Sequence, residues 1–346
     1  MSQLNYRLIS YIIGLLLLFN ATAIFLTSFV SYYFSDGFFS SILKSGFICF
    51  ALGFLIMFFS KNPKKIINRR DGYLVVVIGW LTMVFSGMLP YIFTNTIDNV
   101  PDLIFETMSG YTTTGSSIIS DIEALPESII FWRSMTHWLG GMGIIVLAIA
   151  ILPMLGIGGM QLFSAEAPGS GISGDKIHPR ISNTAKRLWF IYFGLTLLET
   201  LLLNIAGMSF FDAINHSMSN IATGGFSTKN DSLSFWNSMP QIQYIIIFFM
   251  ILAGTNFLLI YLSLIGKFKK LFYNTEFIWF LGLIASFVLI TTIILNSNVD
   301  LDSTNFNHPQ VLGKLEASFR HALFQVVAII TTTGFVTGDF AAWTPF

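Results

Sequence analysis

The sequence predicts an all-α polytopic membrane protein made of tandem helix–pore-loop–helix repeats, preceded by an N-terminal two-helix hairpin. Of its 346 residues, 54% are hydrophobic and only 10% are charged, whereas soluble domains carry about 25% charged residues. Long charge-poor tracts recur along the chain, and three shorter stretches rich in Thr and Gly lie between or after them. Because so few charged side chains cannot cover a water-soluble globule, the composition excludes a soluble enzyme.

The long tracts are candidate membrane spans, since each approaches or exceeds the roughly 20 apolar residues that a helix needs to cross the hydrocarbon core. The first two form the N-terminal hairpin within residues 1–70, and Glu199 interrupts the fifth. The predicted spans are 8–35, 38–60, 72–97, 134–153, 188–208, 240–266 and 277–296.

Basic residues assign the loops to the two sides of the membrane. Most of them lie near the N-terminus and in the loops 61–71, 166–187 and 267–276, which the order of the spans places on one side. The positive-inside rule makes that side cytoplasmic, together with the N-terminus. Acidic residues dominate the other side, so we expect the outer face to attract cations. The alternative is that acidic outer loops only reflect the insertion bias.

The three short stretches form an internal repeat. They cover residues 105–116, 216–227 and 324–335, and their aligned glycines, Gly115, Gly225 and Gly334, are about 110 residues apart. Each follows an apolar span, so the repeating unit is a membrane helix, a short half-helix with a loop, and a returning helix. The predicted organisation is a hairpin (1–70), a first repeat (71–165), a cytoplasmic linker (166–187), a second repeat (188–270) and an incomplete third repeat (271–346).

Thr-Gly loops of this kind are suited to a cation. Non-helical backbone at membrane depth occurs only where it is buried in protein or lines water, and its carbonyl oxygens replace the hydration shell of an ion. Glycine allows the backbone angles required, and threonine adds a hydroxyl group that coordinates or braces. The predicted K⁺-binding filter residues are Thr112, Thr113, Thr114, Gly115, Ile221, Ala222, Thr223, Gly224, Gly225, Thr331, Thr332, Thr333 and Gly334. We predict that Glu106 and Asp212 attract cations at the outer mouth.

The loops resemble those of a known family. Tyr-Thr-Thr-Thr-Gly-Ser-Ser at 111–117, Ile-Ala-Thr-Gly-Gly-Phe-Ser-Thr at 221–228 and Thr-Thr-Thr-Gly-Phe at 331–335 are similar to the pore loops of Trk-type potassium uptake proteins. Phe131-Trp132-Arg133 and the following Trp138-Leu139-Gly140-Gly141-Met142-Gly143 resemble the first repeat of the same family. The chain thus resembles the TrkH/TrkG membrane subunits of the Trk/Ktr/HKT superfamily.

This resemblance implies four repeats around one pseudo-fourfold potassium pathway, usually in a homodimer in the bacterial cytoplasmic membrane. It also implies a cytoplasmic, nucleotide-binding regulatory partner of the TrkA type, so that nucleotide acts only through that partner and no covalent cofactor is expected. In this chain three pore loops are present and the sequence ends at Phe346, where the third returning helix should begin. We therefore expect a longer protein that supplies a fourth loop.

Several alternatives remain at this stage. A sodium-selective or sodium-coupled transporter would use the same scaffold, although Gly115 favours potassium, because related plant transporters with serine at this position pass sodium. A polytopic membrane enzyme would need a polar catalytic set, which the sequence does not place at one depth. A non-conducting fragment is a third alternative. Glu199 is either an ion relay or a hydrogen-bonded structural acid, and Arg133 either ties down an acidic segment or snorkels to water.

Overall fold

The computed structural model of the chain describes residues 4–61, 69–141, 143, 181–298, 309–340 and 343, and the regular elements in these residues are helices. A 3₁₀ helix spans Ser232–Trp236. The α-helices are α1 (Tyr6–Phe34), α2 (Phe39–Phe59), α3 (Arg69–Gly87), α4 (Leu89–Thr94), α5 (Val100–Tyr111), α6 (Glu127–Gly141), α7 (Ile181–Ile205), α8 (Phe210–Ile221), α9 (Pro240–Ala253), α10 (Phe257–Leu264), α11 (Phe268–Phe272), α12 (Thr275–Asn298) and α13 (Lys314–Ile330).

The all-α, multi-span prediction is confirmed. Among the described residues, five helical segments are long and apolar enough to cross a membrane: Tyr6–Phe34, Phe39–Phe59, Arg70–Thr94, Arg187–Ile205 and Thr275–Ser297. They match the first, second, third, fifth and seventh predicted spans. The predicted fourth span, 134–153, is helical in α6 up to Gly141, and most of its remainder lies outside the described residues. Residues 166–180 of the predicted linker also lie outside them, whereas residues 181–187 belong to α7.

The predicted sixth span, 240–266, is not one continuous helix. It consists of α9 and α10, which meet at an angle of 102°. The Asn256 side chain caps α10 by accepting a hydrogen bond from the Leu258 amide at 3.0 Å, and Gly254 lies at the end of α9. An Asn cap starts a new helix rather than continuing the old one. The apolar composition alone therefore predicted one continuous helix where there are two.

The chain divides into two compact units. The first comprises Met1–Thr112 and Ala124–Phe190, and it contains the hairpin and the first repeat without the loop segment 113–123. Within the hairpin, a methyl group added to Gly14 would lie 2.9 Å from the Gly53 carbonyl oxygen, and one added to Gly53 would lie 2.9 Å from Leu17 Cβ. Small residues at this crossing let the backbones of α1 and α2 approach closely, as is usual for helices packed in lipid.

Asp36, in the turn between α1 and α2, joins the hairpin to α6. Its carboxylate accepts hydrogen bonds from the Ser128 amide at 3.1 Å, the Phe38 amide at 3.1 Å and the Ser31 hydroxyl group. Burial raises the pKa of Asp36, but these hydrogen bonds outweigh it and hold the pKa below its ordinary 3.8. A carboxylate is also favourable at the N-terminus of α6.

Replacing Asp36 by Asn is therefore expected to lower thermal stability near neutral pH. The native-state pKa lies below the unfolded-state value of about 3.9, so the stabilisation is present above that value and is lost as the pH falls through the native-state pKa. Thermal unfolding of the detergent-solubilised protein at about pH 7 and about pH 3 measures this. The difference between wild type and variant should shrink at the lower pH, whereas Asp98→Asn, at an exposed aspartate, should change little. An equal difference at both pH values would contradict the assignment.

The second unit comprises Thr113–Glu123 and Ile191–Phe346. Its apolar core is formed by α7, α8, α9, α12, α13 and the 3₁₀ helix, and it includes Met208, Trp236, Ile246, Phe324 and Phe335. The Leu233 amide of the 3₁₀ helix donates to the Val336 carbonyl at 3.0 Å. This core therefore holds α8 and α13 together with the segments that follow them.

Candidate functional site: three filter loops

The helices α5, α8 and α13 each end in a turn of the same backbone conformation. In every turn a threonine and, two residues later, a glycine have positive φ, while the residue between them does not. A β-branched residue in this left-handed region is a genuine outlier, with a cost of about 1–2 kcal/mol. The residues are Thr113 (53°) and Gly115 (76°), Thr223 (54°) and Gly225 (81°), and Thr332 (58°) and Gly334 (78°). This pattern of positive φ recurs at aligned positions, which supports the structural equivalence of the three loops.

In the second and third turns, amide groups fold back onto their own helices. The Gly224 amide donates to the Ser219 carbonyl at 2.8 Å, and the Gly334 amide donates to the Ala328 carbonyl at 3.2 Å. Such bonds satisfy the last carbonyls of a helix, as in Schellman-type ends. In the second and third loops these bonds use amide donors of the turn, and the carbonyl oxygens lie at helix ends that carry partial negative charge.

Neighbouring loops touch through matched residues, all within the second unit. A methyl group added to Gly115 would lie 1.9 Å from the Gly224 carbonyl oxygen, and one added to Gly225 would lie 2.1 Å from the Thr333 carbonyl oxygen. In both contacts the glycine of one loop faces the residue just before the aligned glycine of the next loop. A head-to-tail contact that repeats with one offset is generated by a rotation.

The first threonine of the first loop and that of the third loop act as braces. The Thr331 hydroxyl donates to the Val327 carbonyl at 2.7 Å and lies 2.8 Å from the Thr333 hydroxyl oxygen. The Thr112 hydroxyl donates to the Met108 carbonyl at 2.8 Å. Of the two roles expected from the sequence, the hydroxyl groups of Thr112 and Thr331 take the structural one. Ile221, also predicted as a filter residue, is the buried last residue of α8.

Glu106 is fully buried and does not lie at an exposed mouth. Arg133 Nε of α6 donates to Glu106 Oε1 of α5 at 2.9 Å, and the two side chains are 1% and 0% exposed. The interpretation that Arg133 snorkels to water is therefore wrong, because it instead anchors the first pore helix. The charge of Glu106 is compensated at this position, so its outer-mouth role as a free acidic group does not fit the geometry.

Asp212, the other predicted outer-mouth residue, lies half-buried in the first turn of α8. The Thr228 hydroxyl donates to Asp212 Oδ1 at 2.5 Å, and the Ser209 hydroxyl donates to Oδ2 at 2.7 Å. In the third repeat His321 Nδ1 lies 2.9 Å from the Thr337 hydroxyl oxygen. His321 and Thr337 stand at the same sequence separations from Gly334 as Asp212 and Thr228 do from Gly225. These two contacts tie each loop back to its own helix, in the first turn of α8 and in the middle of α13. The sequence carried a signal for them, a threonine three positions after Gly225 and Gly334.

Glu199 is a hydrogen-bonded acid within α7. The Asn220 amide group donates to Glu199 Oε1 at 2.5 Å and to the Ile246 carbonyl at 3.2 Å, and both polar residues are fully buried. Asn220 immediately precedes Ile221. The geometry thus favours the structural interpretation of Glu199 over the relay, since it fixes the end of the second pore helix.

An exposed polar cluster joins the segments that follow the first and second loops. Lys229 Nζ lies 3.3 Å from Glu123 Oε1. The Asn230 side chain donates to Asp121 Oδ1 at 3.0 Å and accepts from the Ile122 amide at 2.7 Å. These contacts link the two loops a second time, and they place acidic groups in the chain just beyond the predicted filter residues.

Known proteins share both the sequence and the fold. The family TrkH, described as cation transport protein, matches residues 39–346. The Trk system potassium uptake protein TrkH of Salmonella typhimurium is 39% identical over 345 residues, which are 99% of this chain and 69% of that protein. The Trk system potassium uptake protein TrkG of Escherichia coli K12 is 33% identical over 298 residues, 86% of this chain and 59% of that protein.

A solved structure agrees with these matches. The crystal structure of the potassium transporter TrkH from Vibrio parahaemolyticus superposes with a TM-score of 0.83 at 34% identity, over 99% of this chain and 68% of that one. The family match covers most of the chain, and the relatives are similar along nearly its full length. This chain belongs to the TrkH family of cation transport proteins.

Proposed function

We propose that this chain is a potassium-translocating membrane subunit of a Trk-type uptake system. One observation carries the proposal: three equivalent Thr-Gly turns place the carbonyl of one loop against the glycine of its neighbour, at Gly115–Gly224 and Gly225–Thr333. The relatives that bear the name of Trk potassium uptake proteins support it at 33–39% identity. They are transporters rather than enzymes, and this chain is a multi-pass membrane protein as they are.

The geometry of the loops supports selection of a cation. An ion entering the loops exchanges water for carbonyl oxygens, which is favourable only if the oxygens are held at the right number and distance. In the second and third loops the left-handed turns hold them, because the Gly224 and Gly334 amide groups are bonded to the helices behind them. The negative ends of α5, α8 and α13 lower the energy of a positive charge at this point, and none of these features favours an anion.

The system has further components in our proposal. The names of the relatives describe members of a Trk system, which supports a multi-component assembly. We assign to it a cytoplasmic nucleotide-binding subunit of the TrkA type and a second copy of this chain, in the bacterial cytoplasmic membrane with the N-terminus inside. Basic residues such as Lys267, Lys269 and Lys270 support that orientation through the positive-inside rule. Potassium is the transported ion, and no covalent cofactor is assigned.

The decisive experiment is ion uptake by a potassium-uptake-deficient bacterial strain that expresses the gene encoding this chain. We expect ⁸⁶Rb⁺ uptake well above the vector control, and competition by K⁺ but only weakly by Na⁺. Faster uptake of ²²Na⁺ than of ⁸⁶Rb⁺ would instead assign the protein as a sodium transporter on the same scaffold. Uptake of neither ion, with the protein present in the membrane, would contradict the proposal.

A further inference from the structure

A buried chain of hydrogen bonds runs from the N-terminal hairpin to the end of the first pore helix. The Tyr111 hydroxyl donates to Asn20 Oδ1 of α1 at 2.7 Å, and Asn20 Nδ2 donates to Ser86 Oγ of α3 at 2.7 Å. Asn20 is 0% exposed, Tyr111 1% and Ser86 6%. All three residues lie in the first compact unit.

Tyr111 is held at three points. Its hydroxyl group is bound by Asn20. Its ring packs closely on Gly87, where an added methyl group would lie 2.4 Å from Tyr111 Cε2. Its carbonyl oxygen packs on Gly140, where an added methyl group would lie 2.0 Å from that oxygen. Tyr111 is the last residue of α5 and is bonded covalently to Thr112, the first predicted filter residue. A shift of Tyr111 is therefore transmitted directly to the first loop.

Asn20 is a buried amide in a membrane-spanning helix whose neighbouring buried residues are mainly apolar. A buried amide in a membrane helix is costly unless it is hydrogen-bonded, and the other buried residues of α1 that face its neighbours, such as Leu16 and Ile24, supply apolar packing. In the aligned positions of the other two loops stand Ile221 and Ile330, which have no hydroxyl group. The first loop alone therefore offers this attachment point among the three.

We propose that Asn20 is a positioning residue for ion selectivity, which makes the N-terminal hairpin part of the filter's support. The inference rests on the proposed function and deepens it. The bond of Asn20 to Tyr111 fixes the rotation and height of the last turn of α5, and thereby the carbonyls that follow Thr112. Ser86 holds the Asn20 amide in the orientation that presents its oxygen to Tyr111.

The test compares Tyr111→Phe, which removes only the hydroxyl, with Asn20→Leu and with the double variant. The readouts are the ratio of ⁸⁶Rb⁺ to ²²Na⁺ uptake in cells and the thermal stability of the purified protein. Each single variant should lower the ratio by about two- to tenfold, the effect of one buried hydrogen bond. Removing both partners leaves no orphaned polar group, so the double variant should regain stability while its ratio stays low.

Thr22→Val is the matched control, because Thr22 is an exposed residue of α1 whose hydroxyl bonds only locally, to the Phe19 carbonyl. It should keep the wild-type ratio. Ser86→Ala removes the group that orients the Asn20 amide, and it should give an uptake ratio between those of wild type and Tyr111→Phe. If Asn20→Leu fails to accumulate, Ser86→Ala and Tyr111→Phe together provide the test. A wild-type ratio in Tyr111→Phe, or recovery of the ratio along with stability in the double variant, would overturn the inference. A wild-type protein without Rb⁺ preference would instead overturn the proposed function.

Discussion

Serine or alanine at Gly115 is expected to cause the largest loss of potassium selectivity of any single substitution in this chain. Gly115 has a φ of 76°, and a Cβ atom there would lie 1.9 Å from the Gly224 carbonyl oxygen. That oxygen belongs to the backbone, so it moves only if the second loop moves. Either variant loses about 1–2 kcal/mol of stability because of the left-handed backbone, and its side chain must also push the two loops apart. We expect ⁸⁶Rb⁺ uptake to fall at least about tenfold and the Rb⁺ to Na⁺ ratio to approach one.

Gly37→Ala separates backbone strain from the collision. Gly37 has a φ of 85°, but an added methyl group meets no described atom within 4 Å. The Gly37→Ala variant should lose about 1–2 kcal/mol of stability and keep the wild-type ratio of Rb⁺ to Na⁺ uptake. Gly225→Ala, whose added methyl group would lie 2.1 Å from the Thr333 carbonyl oxygen, should behave like the Gly115 variants. An unchanged permeability ratio in Gly115→Ser would remove Gly115 from the filter.

The sequence predicted the spans and loops because their signals are local. Hydropathy marks a bilayer crossing directly, and a glycine aligned with two others marks a turn that needs positive φ. The bend at residues 254–256 was missed because Gly254 and Asn256 stand in an otherwise unbroken apolar tract, where composition does not distinguish a cap from a buried polar residue.

Pairings between distant residues could not be predicted from the sequence, for a different reason. Arg133 alone has two interpretations and Glu106 was predicted at the outer mouth, and only the packing of α5 on α6 shows that the two side chains form a buried pair. Asn20 stands in a tract that predicts nothing beyond a membrane helix, yet its partner Tyr111 adjoins the filter. Such contacts depend on the rotation of each helix about its axis, which a hydrophobicity pattern without an amphipathic stripe does not fix.

The ion pair of Glu106 and Arg133 leads to the second large prediction. Glu106→Gln removes the carboxylate that compensates Arg133, which is 1% exposed. Breaking a buried pair from one side costs about 3–5 kcal/mol, because a charge remains buried without its counter-ion. That is a large part of the stability of a typical domain. We therefore expect little Glu106→Gln protein in the membrane, and a strongly lowered unfolding temperature in what is recovered.

Two comparisons identify the cause of that loss. The double variant Glu106→Leu with Arg133→Met replaces both charges by apolar groups, so it should recover much of the stability and accumulate in the membrane. Glu123→Gln breaks the pair with Lys229, whose side chains are 42% and 23% exposed, and should cost less than about 1 kcal/mol. Comparable losses in Glu106→Gln and Glu123→Gln would show that burial does not set the strength of the first pair. If the double variant were less stable than Glu106→Gln, the pair would be stabilising in its own right, and the uncompensated charge would not explain the loss.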